Sequence, residues 1–403
     1  MSSTLYRFSI KIKLVKMKKI IKSKFVKSFK AKMYRELKLS GFKISRKKIT
    51  PPNLRNKNAI RKTHQAAKRH LLQKNRPWIL KNEKTLMQYF ANGTEIVPEN
   101  IYPELVIVDT QRKADLFRYA SYLWSIPLSN GYGRRLRYLV MDKSNGKLIG
   151  LIGLTDPMIG LGVRDKWIGW NIDQKEKMLW HVMDAYTFGA IPPYSYLLGG
   201  KLVATLMTSN KIREDFRKKY SHGKSVILHK NYKKKGAELV LLTTTGAFGE
   251  SSILDRLKNQ ENRALWAHIG FTEGWGFFHL NNGIATDMLE YLKAINDPVV
   301  SRHRFGQGSN WKMRVIRCGL KQLGMDYKKY AKHGVKRGFY IAPLAKNYKE
   351  FLNGETKKTH YYKQSIPELF AFFRKRYLLP RAERDTRWKK FNVETIRVSK
   401  CFA

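Results

Sequence analysis

The sequence predicts an α+β protein with a mixed β-sheet core, a basic helical N-terminal arm and an α/β C-terminal extension. Three observations lead to this class. A strand-like alternation occupies 182–188, two apolar runs flank an Asn145-Gly146 hairpin signal, and helical patterns run through the basic N-terminal region. At 403 residues the chain can bury a sizeable core. We expect a basic helical arm at 1–76, an α/β core at 77–297 and a basic extension at 298–403.

The predicted arm is crowded with lysine and arginine and contains a single acidic residue, Glu36. Apolar residues interleave with lysines up to Gly41, which predicts a basic amphipathic helix that ends there. A second helix is predicted over 58–73. Such an arm would follow a phosphate backbone, and its candidate contacts are Arg61, Lys62, Lys68 and Arg69. A presequence-like or membrane-surface helix and a plain solvated helix remain alternatives.

The net charge of the chain indicates which class of molecule it binds. A formal charge of +50 makes a folded chain repel itself unless a polyanion neutralises it. Nucleic acid, with DNA favoured, is therefore the leading partner, and an anionic membrane surface is second. Lysine and isoleucine enrichment from an AT-rich genome would explain part of the excess without any function.

Cysteine content and hydropathy indicate the cellular compartment in which the protein is expected. Cys318 and Cys401 are the two cysteines, which excludes a disulfide framework and a cysteine-based zinc ribbon and favours a reducing cytoplasm. No apolar run reaches the length of a transmembrane segment, and the N-terminus lacks a secretory core.

The first half of the predicted core contains the clearest local signals. A buried strand is expected at 105–108, a helix at 114–124, and a hairpin whose strands cover 138–141 and 148–154. An aromatic and basic loop is predicted at 164–170. Four residues here are candidate nucleic-acid contacts: Arg134, Arg135, Arg164 and Trp167. Trp167 fits a packed core equally well.

The stretch 181–208 is the one around which the chain is organised. A strand is expected from about 181, although 179–186 also fits a helix, and Pro192 and Pro193 prevent the strand from continuing. A glycine turn then leads into a helix. Strand, turn and helix N-terminus together would make an anion cradle from Leu198, Gly199, Gly200 and Lys201. A plain structural turn is the alternative.

The catalytic candidates follow from the same strand. Asp184 and Tyr186 are two residues apart, so they would share one face, with the carboxylate as general base and the phenol as acid or clamp. Glu273 joins them from a glycine-rich segment at 272–276. Alternatively, Asp184 simply pairs with an arginine. No metal-ligand cluster, Ser-His-Asp arrangement or nuclease carboxylate pair can be recognised from spacing.

The second half of the chain is predicted to alternate strands and helices. Strands are expected at 237–245, 275–280 and 336–343. Helices are expected to begin at Ser252, to cover 286–296, and to begin near Trp311, where Arg314 and Arg317 are further candidate nucleic-acid contacts. A last helix over 365–379 has a capping box, Ser365 with Glu368, and should end at Pro380.

Many ordered segments resemble the DruA family, the A component of Druantia anti-phage systems. They include GYGRR at 131–135, SNGKLIG at 144–150, RDKWIGW at 164–170, LLGGKLVA at 197–204, TEGWG at 272–276 and NWKMRVIR at 310–317. The resemblance spans roughly 30–390. It implies a role in defence or on mobile elements, close to nucleic acid, and partners among other defence-system proteins.

The element order is also similar to the acetyltransferase-type (GNAT) fold. Hairpin, central strand, glycine turn, helix, strand and a closing Ile269-Gly-Phe271 segment follow the pattern of that fold. The resemblance implies acyl-CoA as a cofactor and, by analogy with adenine-modifying enzymes of the Mom type, a transferase that modifies nucleic-acid bases. Leu198 stands where the first glycine of the acyl-CoA pyrophosphate loop is expected, so the sequence leaves the cofactor open. A non-catalytic interaction scaffold is the third hypothesis.

Overall fold

A computed structural model describes residues 23, 25–45, 49–50, 52, 56–128, 131–221, 238–277, 280, 282–302, 311–331 and 333–402. These residues form two units. The helical unit contains the described residues of 1–71 and 273–335, and the sheet unit contains those of 72–272 and 336–403. Each unit is therefore assembled from two separate stretches of the chain.

The strands and helices are numbered in chain order. The strands are β1 (Lys43–Ile44), β2 (Ile49–Thr50), β3 (Pro103–Ile107), β4 (Arg135–Asp142), β5 (Lys147–Thr155), β6 (Val182–Ala190), β7 (Leu241–Thr245), β8 (Ala267–Phe271) and β9 (Gly338–Pro343). The first helices are α1 (25–39), α2 (Lys57–Lys74), α3 (Arg76–Leu86), α4 (Gln111–Ser121), α5 (Gly162–Ile168), α6 (Ile172–Met178), α7 (Gly199–Leu206) and α8 (Asn210–Tyr220). The remaining helices are α9 (Asn282–Ala294), α10 (Pro298–Arg302), α11 (Trp311–Gln322), α12 (Tyr327–Ala331), α13 (Tyr348–Leu352), α14 (Ile366–Phe373) and α15 (Leu379–Arg384).

The sheet unit is built on a seven-stranded mixed sheet with the order β3-β4-β5-β6-β7-β9-β8. Its neighbours pair antiparallel except for β6 and β7, which are parallel. The parallel pairing is short: it runs from Val182↔Leu241 to Asp184↔Thr243, and β6 then continues to Ala190 paired only with β5. The predicted combination of helices with a mixed β-sheet core is confirmed, and Asp184 lies at the end of the pairing between β6 and β7.

The β4–β5 hairpin forms because its turn residues accept the required backbone geometry. Gly146 has φ 69°, a left-handed conformation that suits glycine. The Asn145 side chain accepts a hydrogen bond from the Lys147 amide at 3.0 Å, which closes the turn locally. Leu148 to Leu154 are almost completely buried, so the apolar run supplies the packing that holds β5 in the middle of the sheet.

The two faces of the sheet carry separate apolar clusters. On one face Met183 and Ala185 pack with residues of α7 and α14, among them Val203 and Phe370. On the other face Val182 packs with residues of α5 and α13, such as Ile168. Because side chains alternate along β6, Asp184 points to the same face as Val182.

The helical unit has its own apolar core. Helix α1 contributes Phe29, Met33 and Leu37, which pack with residues of α9 and α11. Helices α9 and α11 approach closely at Gly319, where a Cβ would come within 1.9 Å of the Met288 sulfur. The first helix ends before Gly41, which has φ 84°, as the sequence predicted. Helix α1 is thus part of a packed core.

Several local predictions are confirmed. The hairpin, the strand from about 181, the helices near 58–73, 114–124 and 286–296, and the helix beginning near Trp311 all form. The capping box also forms: the Ser365 hydroxyl accepts from the Glu368 amide, and the Glu368 carboxylate accepts from the Ser365 amide.

Other local predictions were wrong. The expected loop at 164–170 is largely helix α5, which ends at Gly169 with φ 85°. Residues 252–255 form turns, and the described residues 275–277 form no strand. Pro380 lies in the first turn of α15, because a wider π turn over Arg374–Leu378 carries the helix past it.

The other boundaries differ by a few residues. Strand β7 begins at Leu241, so the strand expected from 237 is shorter, and residue 237 lies outside the described residues. Among the helices that the structure describes, none combines the length and apolar character needed to cross a membrane.

Candidate functional site

Asp184 lies on β6 where the parallel pairing with β7 ends. Protein atoms surround its side chain closely, yet the residue keeps some solvent access. The Thr243 hydroxyl donates a hydrogen bond of 2.7 Å to Oδ1 of Asp184. Burial raises the pKa of this carboxyl from 3.8 to about 6, although the Thr243 hydrogen bond and the nearby Arg164 charge act in the opposite direction. A carboxyl with such a pKa exchanges protons near neutral pH.

Tyr132 lies beside Asp184 and was not predicted as a site residue. Its hydroxyl is buried and makes no hydrogen bond with any described residue. Burial raises the pKa of this phenol well above its usual range, and the negative charges of Asp184 and Asp156 raise it further. The hydroxyl is therefore neutral at physiological pH.

Tyr186 is held in place by an irregularity of the sheet. Gly153 pairs with Thr187 and Leu154 pairs with Ala185, so Tyr186 is left without a partner opposite it, as in a β-bulge. Its ring lies across β5, and a Cβ on Gly153 would come within 2.6 Å of the Tyr186 Cζ atom. Burial raises the pKa of the Tyr186 phenol. We call the group of Asp184, Thr243, Tyr132 and Tyr186 the Asp184 cluster.

Cations at the start of β4 lie near Tyr186 of the Asp184 cluster. Arg135 is exposed and donates to the Gly131 carbonyl at 3.2 Å, and a Cβ on Gly131 would come within 3.6 Å of the Tyr186 ring. The positive charges of Arg137 and Arg135 both act on the Tyr186 phenol. Exposed Lys219 donates to the Arg135 carbonyl at 3.0 Å. These three cations, Arg135, Arg137 and Lys219, form what we call the β4 cation cluster.

Two predicted nucleic-acid contacts are buried instead. Arg134 pairs with Asp156 at 2.7 Å and stacks on the Trp180 ring at 4.0 Å. Arg164 is completely buried and pairs with Asp165 at 2.6 Å. Because neither guanidinium reaches the surface, we leave Arg134 and Arg164 out of any phosphate-binding surface.

The other predicted contacts are at or near the surface. Arg61, Lys62 and Arg69 are exposed on one side of α2, and Lys68 is partly buried. Arg314 and Arg317 are exposed on α11, one turn apart. Trp167 is 41% exposed, and the Lys349 ammonium lies 4.4 Å from the centre of its ring. That these side chains contact nucleic acid therefore stays a prediction.

The predicted anion cradle at the start of α7 is filled by the chain itself. Gly199 is buried, and a Cβ there would come within 2.6 Å of the Tyr194 carbonyl oxygen and 2.7 Å of the Ala190 Cβ. The Lys201 ammonium donates to the Asp255 carbonyl at 3.2 Å, and Gly200 faces the Ile253 side chain. Leu198, at φ 59°, provides the turn that starts the helix.

The third catalytic candidate, Glu273, is exposed and belongs to the helical unit, whereas Asp184 and Tyr186 belong to the sheet unit. Its role stays a prediction. Within the described ranges no three His, Cys, Asp or Glu side chains are arranged to hold a metal ion.

The chain is similar to proteins already described. A family model with the description "Druantia protein DruA" matches residues 54–354. The protein called Druantia protein DruA from Escherichia coli (strain UMEA 4076-1) is 38% identical over 344 residues, which cover 84% of this chain and 83% of that protein. No solved structure matches the chain.

Proposed function

The chain belongs to the DruA family of the Druantia system, and on that premise we propose that it binds nucleic acid as part of anti-phage defence. DNA is the favoured nucleic acid. Other proteins of the Druantia system would be its protein partners.

The observation that carries the proposal is the charge excess of +50. Eighty lysines and arginines stand against thirty acids, so fifty positive charges are not balanced by negative charges of the chain. A compact chain with that imbalance is destabilised by its own repulsion, and a phosphate backbone relieves the repulsion while releasing counterions.

The location of the cations supports the same proposal. On α2 the exposed residues Arg61, Lys62 and Arg69 lie on the side opposite buried Ile60, Thr63 and His64. Exposed cations in one stripe along a helix can contact successive phosphates, whereas scattered cations cannot. We therefore propose the α2 stripe, defined by Arg61, Lys62 and Arg69, as one phosphate-binding surface.

Deletion of the predicted arm is unsuitable as a test of nucleic-acid binding. Removing the first 76 residues would remove Phe29, Met33 and Leu37 from an apolar core, so a loss of binding would not distinguish unfolding from lost contacts. Substitutions in the α2 stripe change the charge and leave the buried face of α2 intact.

The experiment compares two full-length variants with equal loss of charge. In the test variant Arg61, Lys62 and Arg69 become glutamine; in the control, exposed Lys357, Lys358 and Lys363 do. Affinity for a DNA duplex is measured over a salt series. Three lost phosphate contacts should reduce the slope of log affinity against log salt by about 3 in the test variant. Equal slopes in test and control would remove the α2 stripe from the interface. Absence of binding by the unsubstituted chain would refute the proposal.

A second candidate function is base modification by a GNAT-like transferase. The order of hairpin β4–β5, central β6, glycine turn with α7, then β7 and the Gly270-Phe271 segment on β8 supports this candidate, as does Asp184 with its pKa near 6. The filled cradle at Gly199 and Lys201 weighs against acyl-CoA as the cofactor. Thermal melting with acetyl-CoA tests it: a large stabilisation, together with loss of transferase activity in Asp184→Ala, would rank this function first.

A further inference from the structure

We propose that helix α11 of the helical unit enters the major groove of duplex DNA and reads guanine bases through Arg314 and Arg317. The proposal rests on the proposed nucleic-acid binding and adds the element that would distinguish one base sequence from another. It follows from the exposed side chains of α11, from their spacing along the helix, and from the packing that holds the helix in the helical unit.

The exposed and buried faces of α11 differ in chemical character. Arg314, Arg317 and Lys321 are exposed, and the helix contains no aspartate or glutamate. The residues that α11 buries are small or apolar: Val315, Ile316, Gly319 and Leu320. On a helix with about 3.6 residues per turn, the three cations are centred opposite this buried face. We call Arg314, Arg317 and Lys321 the α11 cation stripe, and its charge suits a polyanion.

The spacing of the α11 cation stripe matches the spacing of base pairs. Arg317 and Lys321 follow Arg314 by three and seven residues, which places them about 4.5 and 10.5 Å farther along the helix axis and within about 60° around it. Successive base pairs are about 3.4 Å apart, and the major groove is wide enough to admit an α-helix. A helix lying along the groove would therefore bring each cation to a different base pair.

The side chains of this face suit base edges as well as phosphates. A guanidinium is a planar fork that can donate two hydrogen bonds at once to O6 and N7 of guanine. Met313, beside the stripe, is 41% exposed. An apolar side chain is not attracted to phosphates, but it can contact the thymine methyl group in the major groove. The exposed methionine among cations therefore favours base contacts over a surface that binds phosphates alone.

The packing of α11 holds this face in place before any ligand binds. At Gly319 the helix lies so close to α9 that a Cβ would meet the sulfur of completely buried Met288. The Arg317 guanidinium lies 5.9 Å from the centre of the Tyr327 ring. A helix that is already fixed by its core loses less conformational freedom on binding than a mobile segment does.

Helix α12 supplies cations for the adjacent phosphates. It begins four residues after α11 ends, and its Ala331 belongs to the same apolar cluster as the buried face of α11. Lys328 and Lys329 on α12 are exposed. A helix in the major groove has a phosphate backbone on either side, so cations on the next element can contact one backbone while α11 contacts the bases.

The experiment begins with a pool of DNA duplexes that share a random central segment. Repeated selection with the full-length protein should enrich a site that contains at least one guanine. That guanine is then replaced by 7-deazaguanine, which lacks the N7 acceptor in the major groove but keeps the base pair and the phosphates. We expect affinity to fall about tenfold, as for the loss of one bidentate arginine–guanine contact.

A charge-conserving variant tests whether α11 makes this contact. Arg314→Lys combined with Arg317→Lys keeps both positive charges but replaces the planar forks with point charges. It should bind the guanine and 7-deazaguanine duplexes equally, with an unchanged salt dependence. Arg112→Lys is the matched control, since Arg112 is also an exposed helical arginine beside a tyrosine ring, 5.6 Å from the centre of Tyr89. The control should keep the preference for guanine.

The outcomes separate this proposal from the proposed function. Salt-dependent binding without an enriched sequence, or an enriched site that tolerates 7-deazaguanine at every guanine, would overturn base reading in the major groove and leave nucleic-acid binding intact. A guanine preference that persists in the double lysine variant would remove α11 as the reading element. Failure of the unsubstituted chain to bind any duplex would overturn the proposed function and this proposal with it.

Discussion

Asp184→Asn should stabilise the folded protein at neutral pH, although it removes a site residue. The folded state holds a proton on Asp184 more tightly than the unfolded state, because burial raises its pKa from 3.8 to about 6. At pH 7.5 the carboxyl is ionised in both states, and the folded state carries the full cost of the buried charge. Asparagine removes that charge and can still accept the Thr243 hydrogen bond.

The size of the effect follows from the pKa. Each pKa unit corresponds to about 1.4 kcal/mol, so the difference between the two states corresponds to about 3 kcal/mol as an upper value. The stabilisation that protonation gives is complete below about pH 4 and is lost as the pH rises to about 6. Asp184→Asn should therefore exceed the unsubstituted chain in stability at pH 7.5, by several degrees in Tm, and lose that advantage at pH 4.

Thermal melting at both pH values checks this prediction, with Asp156→Asn as a contrast of opposite sign. Asp156 pairs with buried Arg134, so its neutral variant leaves a buried cation unpaired and should be less stable at pH 7.5 by about 3 kcal/mol or more. The reasoning is refuted if Asp184→Asn melts at a lower temperature than the unsubstituted chain, or if its gain in Tm is the same at pH 4 and pH 7.5. The carboxyl would then be a structural partner and not a buried charge kept for function.

Three further predictions test the surrounding structure. Gly153→Ala forces the Tyr186 ring to move and should cost about 1–3 kcal/mol in urea unfolding, whereas Gly160→Ala, where a Cβ meets nothing within 4 Å, should be nearly neutral. Glu83→Ala removes the acceptor of the hydrogen bonds that the Ser399 amide and hydroxyl donate. We expect a loss of about 3 kcal/mol and faster proteolysis of the 398–402 segment, and unchanged proteolysis would contradict a role of these hydrogen bonds in holding the segment. Met33→Ala should lower the free energy of unfolding by about 2–5 kcal/mol, because Met33 is completely buried in the core of the helical unit. A solvated arm would predict no change in urea unfolding.

The elements with strong local signals could be predicted from the sequence. The Asn145-Gly146 turn, the Ser365 capping box and the helix stop at Gly41 each depend on residues adjacent in the chain, and each forms. The same holds for the alternation that places Asp184 on one face of β6. Short-range backbone preferences are sufficient for such features.

Features that depend on tertiary packing could not be predicted. The sequence predicts that Arg164 lies in a loop and contacts nucleic acid. Instead it is buried, and Asp165 and the Met158 and Ile159 carbonyls accept the hydrogen bonds of its guanidinium. The bulge at Tyr186 is set by how β5 pairs with β6, and no local pattern encodes it.

The missed site residues illustrate the same limit. Tyr132 and Thr243 come from a turn before β4 and from the adjacent strand β7, far from Asp184 in the chain. Only the register Asp184↔Thr243 brings the hydroxyl of Thr243 to the carboxylate. The GYGRR segment at 131–135 resembles a family motif, but no sequence signal indicates that the hydroxyl of its tyrosine is buried and unpaired.

The affinity of the full-length chain for duplex DNA, measured from low to physiological salt, tests the central claim most directly. If the charge of +50 exists to meet phosphates, affinity should fall steeply and linearly on a log–log scale, with a slope of several phosphate contacts. Binding that does not change with salt, or no binding at low salt, would contradict the claim that this chain is a nucleic-acid-binding protein.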